Sequence, residues 1–198
     1  MAVSIDDIRK LKELTGVGLT DAKTALVEAE GDFDKALEAM RKKGLTRAEK
    51  KADREAREGV IDSYVHSGRI GVLVEVNCET DFVARTDGFK EFAHEIALQV
   101  AAMSPQYISE ADIPADELER VRKEAQERVE AEGKPADIAQ KIVDGQVKKH
   151  FEEKVLLTQT YIKNEKQTVT DFLKETVAKT GENIIIRQFK RIELGVNE

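Results

Sequence analysis

The stretch Glu75-Val-Asn-Cys-Glu-Thr-Asp-Phe-Val-Ala-Arg85 decides the fold, because it carries the chain from a strand into a helix. Immediately before it, Ile70-Gly-Val-Leu-Val-Glu-Val76 has the β-branched content and the alternation of a strand. After it, residues 89–103 repeat apolar side chains at helical spacing. We therefore predict a strand, then a short turn capped by Thr80 or Asp81, then a long helix.

Phe82 directly follows the predicted cap, and its ring has two interpretations. In the first, the ring packs on Phe89 or Phe92 as a core or staple residue, which is the common role of an aromatic side chain. In the second, the turn holds the ring out from the scaffold. Composition alone favours the first interpretation.

The same eleven residues are similar, position for position, to a signature of elongation factor Ts, the nucleotide-exchange factor for the GTPase elongation factor Tu. A second stretch, Leu11-Lys-x-x-Thr-Gly-Val-Gly-Leu-x-Asp-x-Lys-x-Ala-Leu26, resembles the other signature of that family. The resemblance runs along nearly the whole chain, while the two signatures cover about twenty-seven positions. One position departs, because the family usually has Arg where Lys12 stands, and lysine lacks the fork for a bidentate contact.

The resemblance implies two surfaces that contact elongation factor Tu. In the family, a Thr-Asp-Phe-Val turn enters the GTPase near its magnesium region. By match these residues are Thr80, Asp81, Phe82 and Val83. In the family, the N-terminal loop and its basic residues dock on the GTPase domain, and by match these are Lys12, Gly18, Leu19 and Lys23. Two further positions, His66 and Gly181, match family contact sites more loosely.

The implied function is nucleotide exchange, in which the protein binds elongation factor Tu-GDP and promotes GDP release during translation elongation without chemistry of its own. Longer family members hold two related halves in their core, and this chain has room for one. The resemblance therefore implies a homodimer that restores the second half. An alternative from another class is a protein-binding adaptor, whose helical module recognises a ubiquitin-like or helical surface while the remainder is a passive scaffold.

Composition limits the remaining possibilities. A net charge of −7 and a pI near 5.3 argue against broad binding to a phosphate backbone. The single Cys78 excludes an internal disulfide framework and a multi-cysteine metal site, and no stretch has the apolar length of a secretory signal or a membrane span. We expect a cytoplasmic protein with no membrane or direct nucleic-acid partner, no cofactor and no metal.

The N-terminal residues 1–44 predict three short helices, at about 4–14, 20–30 and 33–44, that resemble a ubiquitin-associated bundle. The expected apolar stripe of the first helix is Ile5, Ile8, Leu11 and Leu14. Gly16-x-Gly18 follows a helix and has no lysine-serine pair, so we interpret it as a loop rather than a phosphate site.

Residues 45–58 predict a charged helical linker. An RNA contact through Arg47, Lys50, Lys51, Arg54 and Arg57 is disfavoured by interleaved acids.

Residues 59–198 predict an α+β core domain. Strands at 60–66 and 70–78 join around Ser67-Gly-Arg69, a helix to Met103 covers one sheet face, and residues 184–194 supply a third antiparallel strand. The order of the strands stays open.

A projecting helical hairpin is expected at about 115–153, with a turn at Gly133-Lys-Pro135. Its polar outer faces are expected to be solvated, and a contact with a partner stays open, because the elongation factor Ts family carries a similar coiled-coil arm. The second helix of the hairpin is expected to bury Ile138, Ile142, Val147 and Phe151, while residues 155–163 are expected to be extended or irregular.

Cys78 and a histidine would be the simplest nucleophilic pair in this chain. In the hairpin register Cys78 lies opposite residues near 58–60, whereas His66 lies roughly 20 Å away at the turn. His94 on the following helix could be closer, but nothing in the sequence fixes it there. We therefore predict that Cys78 is a buried small hydrophobe and that the chain has no catalytic residue.

Overall fold

A computed structural model describes residues 3–132 and 136–196. The helices are α1 (Ile5–Thr15), α2 (Leu19–Glu28), α3 (Phe33–Glu49), α4 (Asp81–Ala84), α5 (Asp87–Met103), α6 (Ala115–Ala131), α7 (Ala136–Glu152) and α8 (Val169–Thr180). The strands are β1 (Glu58–His66), β2 (Ile70–Cys78), β3 (Thr160–Tyr161), β4 (Asn164–Thr168) and β5 (Ile185–Glu193). The predicted α+β class, with N-terminal helices before a three-stranded antiparallel sheet, is confirmed. The described residues form two compact units. The first unit combines the residues before and including Leu98 with those from Thr170 onward, and the second unit is Gln99–Val169.

The first three helices pack around a small aliphatic core. Ser4 caps α1 by accepting a hydrogen bond from the backbone N–H of Asp6, and Asp32 caps α3 through the N–H of Lys35. The buried residues are Leu11, Ala22, Ala25, Leu26, Ala36 and Met40. Three of these six residues are alanines, which let the helices approach closely where they lie.

The predicted apolar stripe of α1 is wrong at its first and last residues, because Ile5 and Leu14 are exposed. The core face instead runs through Leu11 and Thr15, one helical turn apart, and the Thr15 hydroxyl donates to the Leu11 carbonyl at 2.6 Å.

Helix α3 continues to Glu49 although Gly44 was expected to end it. A Cβ at Gly44 would lie 3.2 Å from the Cβ of Ala178, so the glycine serves close packing on α8 rather than a helix stop.

The three-stranded sheet has the order β1-β2-β5, with both pairs antiparallel. Ser67 and Gly68 both have positive φ, and the Arg69 N–H donates to the His66 carbonyl at 2.9 Å, which is the form of a two-residue hairpin turn. The consecutive residues Glu75 and Val76 of β2 pair with Gln188 and Ile186 of β5, so Arg187 is an extra residue that forms a bulge in β5. The central strand β2 is the one that runs directly into α4.

One face of the sheet carries the core. Val72, Val74 and Val76 of β2 are buried, as are the expected inward residues of α5 from Phe89 to Val100. His94 of α5 contacts Asp62 of β1 at 2.9 Å, and the ring of Phe92 lies 5.0 Å from that of Phe172 in α8. The opposite face remains open, and its exposed apolar residues are Ile61, Val65, Leu73 and Ile192.

The second unit contains the antiparallel pair α6 and α7. Its core consists of Val121, Ala125, Val129, Val143, Val147, Phe151 and Val155. Ile138 was expected in this core and is exposed instead; the buried positions Val143, Val147 and Phe151 follow each other every four residues and leave Ile138 on another face. The expected turn at residues 133–135 lies outside the described residues.

Residues 155–163 were expected to be extended or irregular, and Thr160–Tyr161 within them is extended, as strand β3. Strand β3 pairs with β4 in a small antiparallel ladder that the sequence analysis did not predict, in which Thr160 pairs with Thr168. The ladder is too short for an alternating pattern to identify.

Candidate functional site

Helix α4 is a single helical turn that presents Phe82 to solvent. Thr80 has an extended backbone, and its hydroxyl accepts a hydrogen bond from the Val83 N–H at 3.4 Å, so it caps the turn as expected. Ala84, on the opposite side, is buried. The Phe82 side chain is 80% exposed. The interpretation of Phe82 as a core or staple residue is therefore wrong.

Asp81 and Val83 flank the exposed ring. The Asp81 carboxylate forms an ion pair of 2.7 Å with Arg85, one turn later, and about half of the Asp81 side chain remains accessible. Residues 80–83, which we call the exposed turn, thus carry an aromatic ring beside a carboxylate, and the guanidinium group of Arg85 lies next to them. Such a surface is suited to contact another protein, because aromatic and arginine side chains commonly anchor protein–protein interfaces.

The backbone between α8 and β5 lies against the start of the exposed turn, which the sequence did not reveal. The Asn183 N–H donates to the Glu79 carboxylate at 2.6 Å, and Arg54 pairs with the same carboxylate at 3.5 Å. The Asn183 side-chain amide donates to the carbonyls of Ala52 and Arg54, and Lys51 donates to the Gly181 carbonyl. Residues 181–183 therefore connect the segment after α3 with the residue before the exposed turn.

The four residues expected to dock the N-terminal bundle on its partner lie on α1, at the N-cap of α2 and on α2 itself, and all are exposed. They are Lys12, Gly18, Leu19 and Lys23. Leu19 is an apolar side chain with about half of its surface in solvent. Gly18 precedes α2 with an ordinary negative φ, and a Cβ built on it meets no atom within 4 Å. Neither backbone geometry nor space in this chain accounts for a glycine at that position.

His66 and Gly181 lie in different places. His66 ends β1 and is exposed, with its Nδ1 2.9 Å from the Tyr64 hydroxyl. Gly181 ends α8 with a φ of +78°, a value that side chains other than glycine adopt at a cost. A structural requirement therefore explains Gly181, whereas His66 has an open surface around it.

Among the described residues, Cys78 forms no hydrogen bond with a histidine: its thiol donates to the Thr80 carbonyl at 3.1 Å, and His94 contacts Asp62 instead. Cys78 is fully buried opposite Glu58, whereas His66 lies at the far end of the same ladder, opposite Ile70. Burial, and next the negative charge of Glu182, raise the pKa of the Cys78 thiol to about 11. The prediction that Cys78 is a buried small hydrophobe is confirmed.

Of the five basic residues considered for RNA contact, three are engaged within the chain, and Lys50 is exposed. Lys51 and Arg54 make the contacts given above, and Arg57 pairs with Glu55 at 2.6 Å. The Arg47 side chain lies outside the described part. Between residues 3 and 196, leaving out 133–135, no three His, Cys, Asp or Glu side chains are placed to hold a metal ion. No helix within the same residues is long and apolar enough to cross a membrane.

Comparison with known proteins places the chain in a family. Residues 10–196 match the family model described as elongation factor TS. Proteins named elongation factor Ts from Thermotoga maritima and Thermoanaerobacter are similar to the chain. The first is 53% identical over 196 residues, 98% of each chain; the second is 52% identical over 194 residues, 98% of this chain and 95% of the relative.

The fold and these matches define the class of the protein as a translation elongation factor. Within that class, the chain belongs to the elongation factor Ts family, because the family model and the relatives span nearly its whole length.

Proposed function

We propose that the protein is a guanine-nucleotide exchange factor that binds elongation factor Tu-GDP and promotes GDP release, without chemistry of its own. The observation that carries the proposal is the exposure of Phe82 at the centre of the exposed turn. A large apolar ring on a capped helical turn costs free energy in water unless a partner covers it. Its position in the matched signature makes the GTPase the partner that fits.

Exchange requires that the factor bind the nucleotide-free GTPase more tightly than the loaded one. A GTPase holds its nucleotide through a phosphate loop, a magnesium ion and ordered switch segments. Insertion of Phe82 near the magnesium region would favour a conformation in which these groups no longer hold GDP. Asp81, which already pairs with Arg85, orients the turn and contacts the partner.

A second surface provides affinity. In this proposal the bundle of residues 1–44 docks through Lys12, Gly18, Leu19 and Lys23, and residues 45–58 link it to the core domain of residues 59–198. The solvent exposure of these four residues supports that role. His66 is accessible for a further contact, and Gly181 acts through the backbone that it shapes. The proposal includes no contact between the helical hairpin at about 115–153 and elongation factor Tu.

We further propose that the protein is a cytoplasmic homodimer. The open face of the sheet supports it, since Ile61, Leu73 and Ile192 expose apolar side chains from three neighbouring strands. An apolar patch shared by adjacent strands is a common mark of a protein interface. A second copy of the same sheet would cover it.

The experiment is stopped-flow release of a fluorescent GDP analogue from elongation factor Tu. The parent is compared with F82A, and with L194A as a matched control in which another exposed apolar side chain is shortened. We expect strong acceleration by the parent and by L194A, and loss of acceleration with F82A. Circular dichroism and a binding measurement establish that each variant is folded and still meets the GTPase.

A folded parent that binds elongation factor Tu without changing GDP release would contradict exchange and support the adaptor alternative. Equal acceleration by the parent and F82A would leave exchange standing and remove Phe82 from its mechanism. Steep salt dependence on mixing with RNA would indicate a nucleic-acid partner instead.

A further inference from the structure

We infer that Glu182 is a positioning residue that holds the exposed turn in the conformation needed for exchange; the inference rests on the proposed function. Glu182 lies between α8 and β5, and the turn that it contacts lies more than one hundred residues earlier in the chain. Neither the signature nor the residue spacing connects the two.

The Glu182 carboxylate accepts three hydrogen bonds from the start of the turn. Its Oε2 accepts from the backbone N–H of Glu79 at 3.1 Å and from that of Thr80 at 3.0 Å. Its Oε1 accepts from the Thr80 hydroxyl at 2.6 Å. Both carboxylate oxygens are therefore used, and bonds to a charged acceptor are shorter and stronger than neutral ones.

The contact is reciprocal. While Glu182 holds the backbone of Glu79, the Glu79 carboxylate accepts from the backbone N–H of Asn183 at 2.6 Å. Two segments thus exchange side-chain-to-backbone bonds in both directions, which fixes their relative position more strictly than one bond could.

Phe82 depends on this arrangement. Helix α4 has a single turn, too short to be stable alone, and its exposed ring gains little from packing on its own chain. The hydroxyl of Thr80 both donates to Glu182 and caps the turn through the Val83 N–H. Glu182 therefore orients the cap, and the cap orients the ring.

The test separates positioning from contact. Exchange is measured with E182A, E182Q and F82A over a range of elongation factor Tu-GDP concentrations. E182A leaves the ring present but lowers the fraction of molecules with a competent turn, so we expect the half-saturating concentration to rise about tenfold with little change in the maximal rate. E182Q keeps an acceptor oxygen for the two backbone N–H groups and should stay within about threefold of the parent. F82A should lower the maximal rate of exchange. The double variant E182A/F82A should have the same maximal rate as F82A.

A second readout needs no GTPase. The chain has no tryptophan, so F82W introduces a single fluorophore on the exposed turn. Time-resolved anisotropy should show a larger fast component for F82W/E182A than for F82W, F82W/E182Q or the control F82W/E165A, whose glutamate is exposed on β4. If E182A does not fold, E182D replaces it, because a carboxylate one methylene shorter cannot reach all three donors.

Unchanged ring mobility in F82W/E182A would overturn the inference, as would exchange by E182A equal to that of the parent. A lower maximal rate for E182A/F82A than for F82A would also overturn the inference, because it would show that Glu182 acts in exchange separately from Phe82. A parent without exchange activity would contradict the proposed function, while the anisotropy would still decide whether Glu182 orders the turn.

Discussion

The hydroxyl of Thr80 donates to the carboxylate of Glu182 at 2.6 Å and accepts from the Val83 N–H at 3.4 Å, so one oxygen joins a distant loop to the cap of α4. T80V keeps the shape and removes both bonds, whereas T80S keeps both. We expect T80V to lower the free energy of unfolding by about 1–2 kcal/mol, the usual cost of a lost N-cap, and T80S to be near neutral. Urea denaturation measures both, and equal stabilities of the two variants would contradict the dual role.

Phe82 and Phe92 should respond oppositely to truncation. Phe92 is buried against Phe172, so F92A should cost about 3–5 kcal/mol of stability. Phe82 is exposed, so F82A should stay within about 0.5 kcal/mol of the parent. Thermal and urea unfolding check the pair. Marked destabilisation by F82A would mean that the ring packs within its own chain after all.

Gly18 and Gly181 also differ in a testable way. G18A should leave stability within about 0.5 kcal/mol, because the φ is ordinary and the added methyl group meets open space. If Gly18 lies against the partner, G18A should nevertheless weaken binding to elongation factor Tu, which titration calorimetry measures. G181A should cost about 1–2 kcal/mol, because its φ of +78° is strained for alanine. Unchanged binding by G18A would remove Gly18 from the docking surface.

Cys78 should make stability fall at high pH. Its pKa is raised from the ordinary 9.0 to about 11, chiefly by burial, so the unfolded chain loses this proton before the folded one does. The contribution of the Cys78 thiol to the free energy of unfolding is therefore constant below pH 9 and is lost as the pH rises from 9 toward 11. We expect a steeper decline for the parent than for C78A in urea titrations over that window. At pH 8 a thiol reagent should label the folded chain only as fast as it opens, and rapid labelling would contradict burial.

The open sheet face should determine the oligomeric state. L73K places a charge at the centre of that face, opposite Ser63, whereas V27K places one on α2 at a residue of similar exposure. We expect the parent and V27K to sediment as dimers and L73K as a monomer, because an unpaired charge is costly in an apolar interface. A monomeric parent would contradict the homodimer, and a dimeric L73K would place the interface elsewhere.

Much of the local structure follows from sequence pattern. Alternation and β-branching predicted the strand that ends at Cys78, apolar spacing predicted the buried face of α5 from Phe89 to Val100, and Thr80 was predicted as a cap. These features depend on neighbours within a few residues, so periodicity and capping preferences record them.

Where several faces of one helix carry apolar residues, the pattern was insufficient. Ile5, Leu14 and Ile138 had the right character for a core and are exposed, because the contacts of the neighbouring helices select another stripe. Gly44 was expected to stop α3, but its lack of a side chain serves packing against Ala178 instead.

The sequence by itself determined the longer helices and strands, the fold class and the cap at which Phe82 would stand. Only the tertiary structure decided that the ring faces solvent and that Glu182 holds the residues before it. The reason is physical: exposure and long-range hydrogen bonds depend on which distant segments the fold brings together, and no local preference encodes a contact between residues a hundred positions apart.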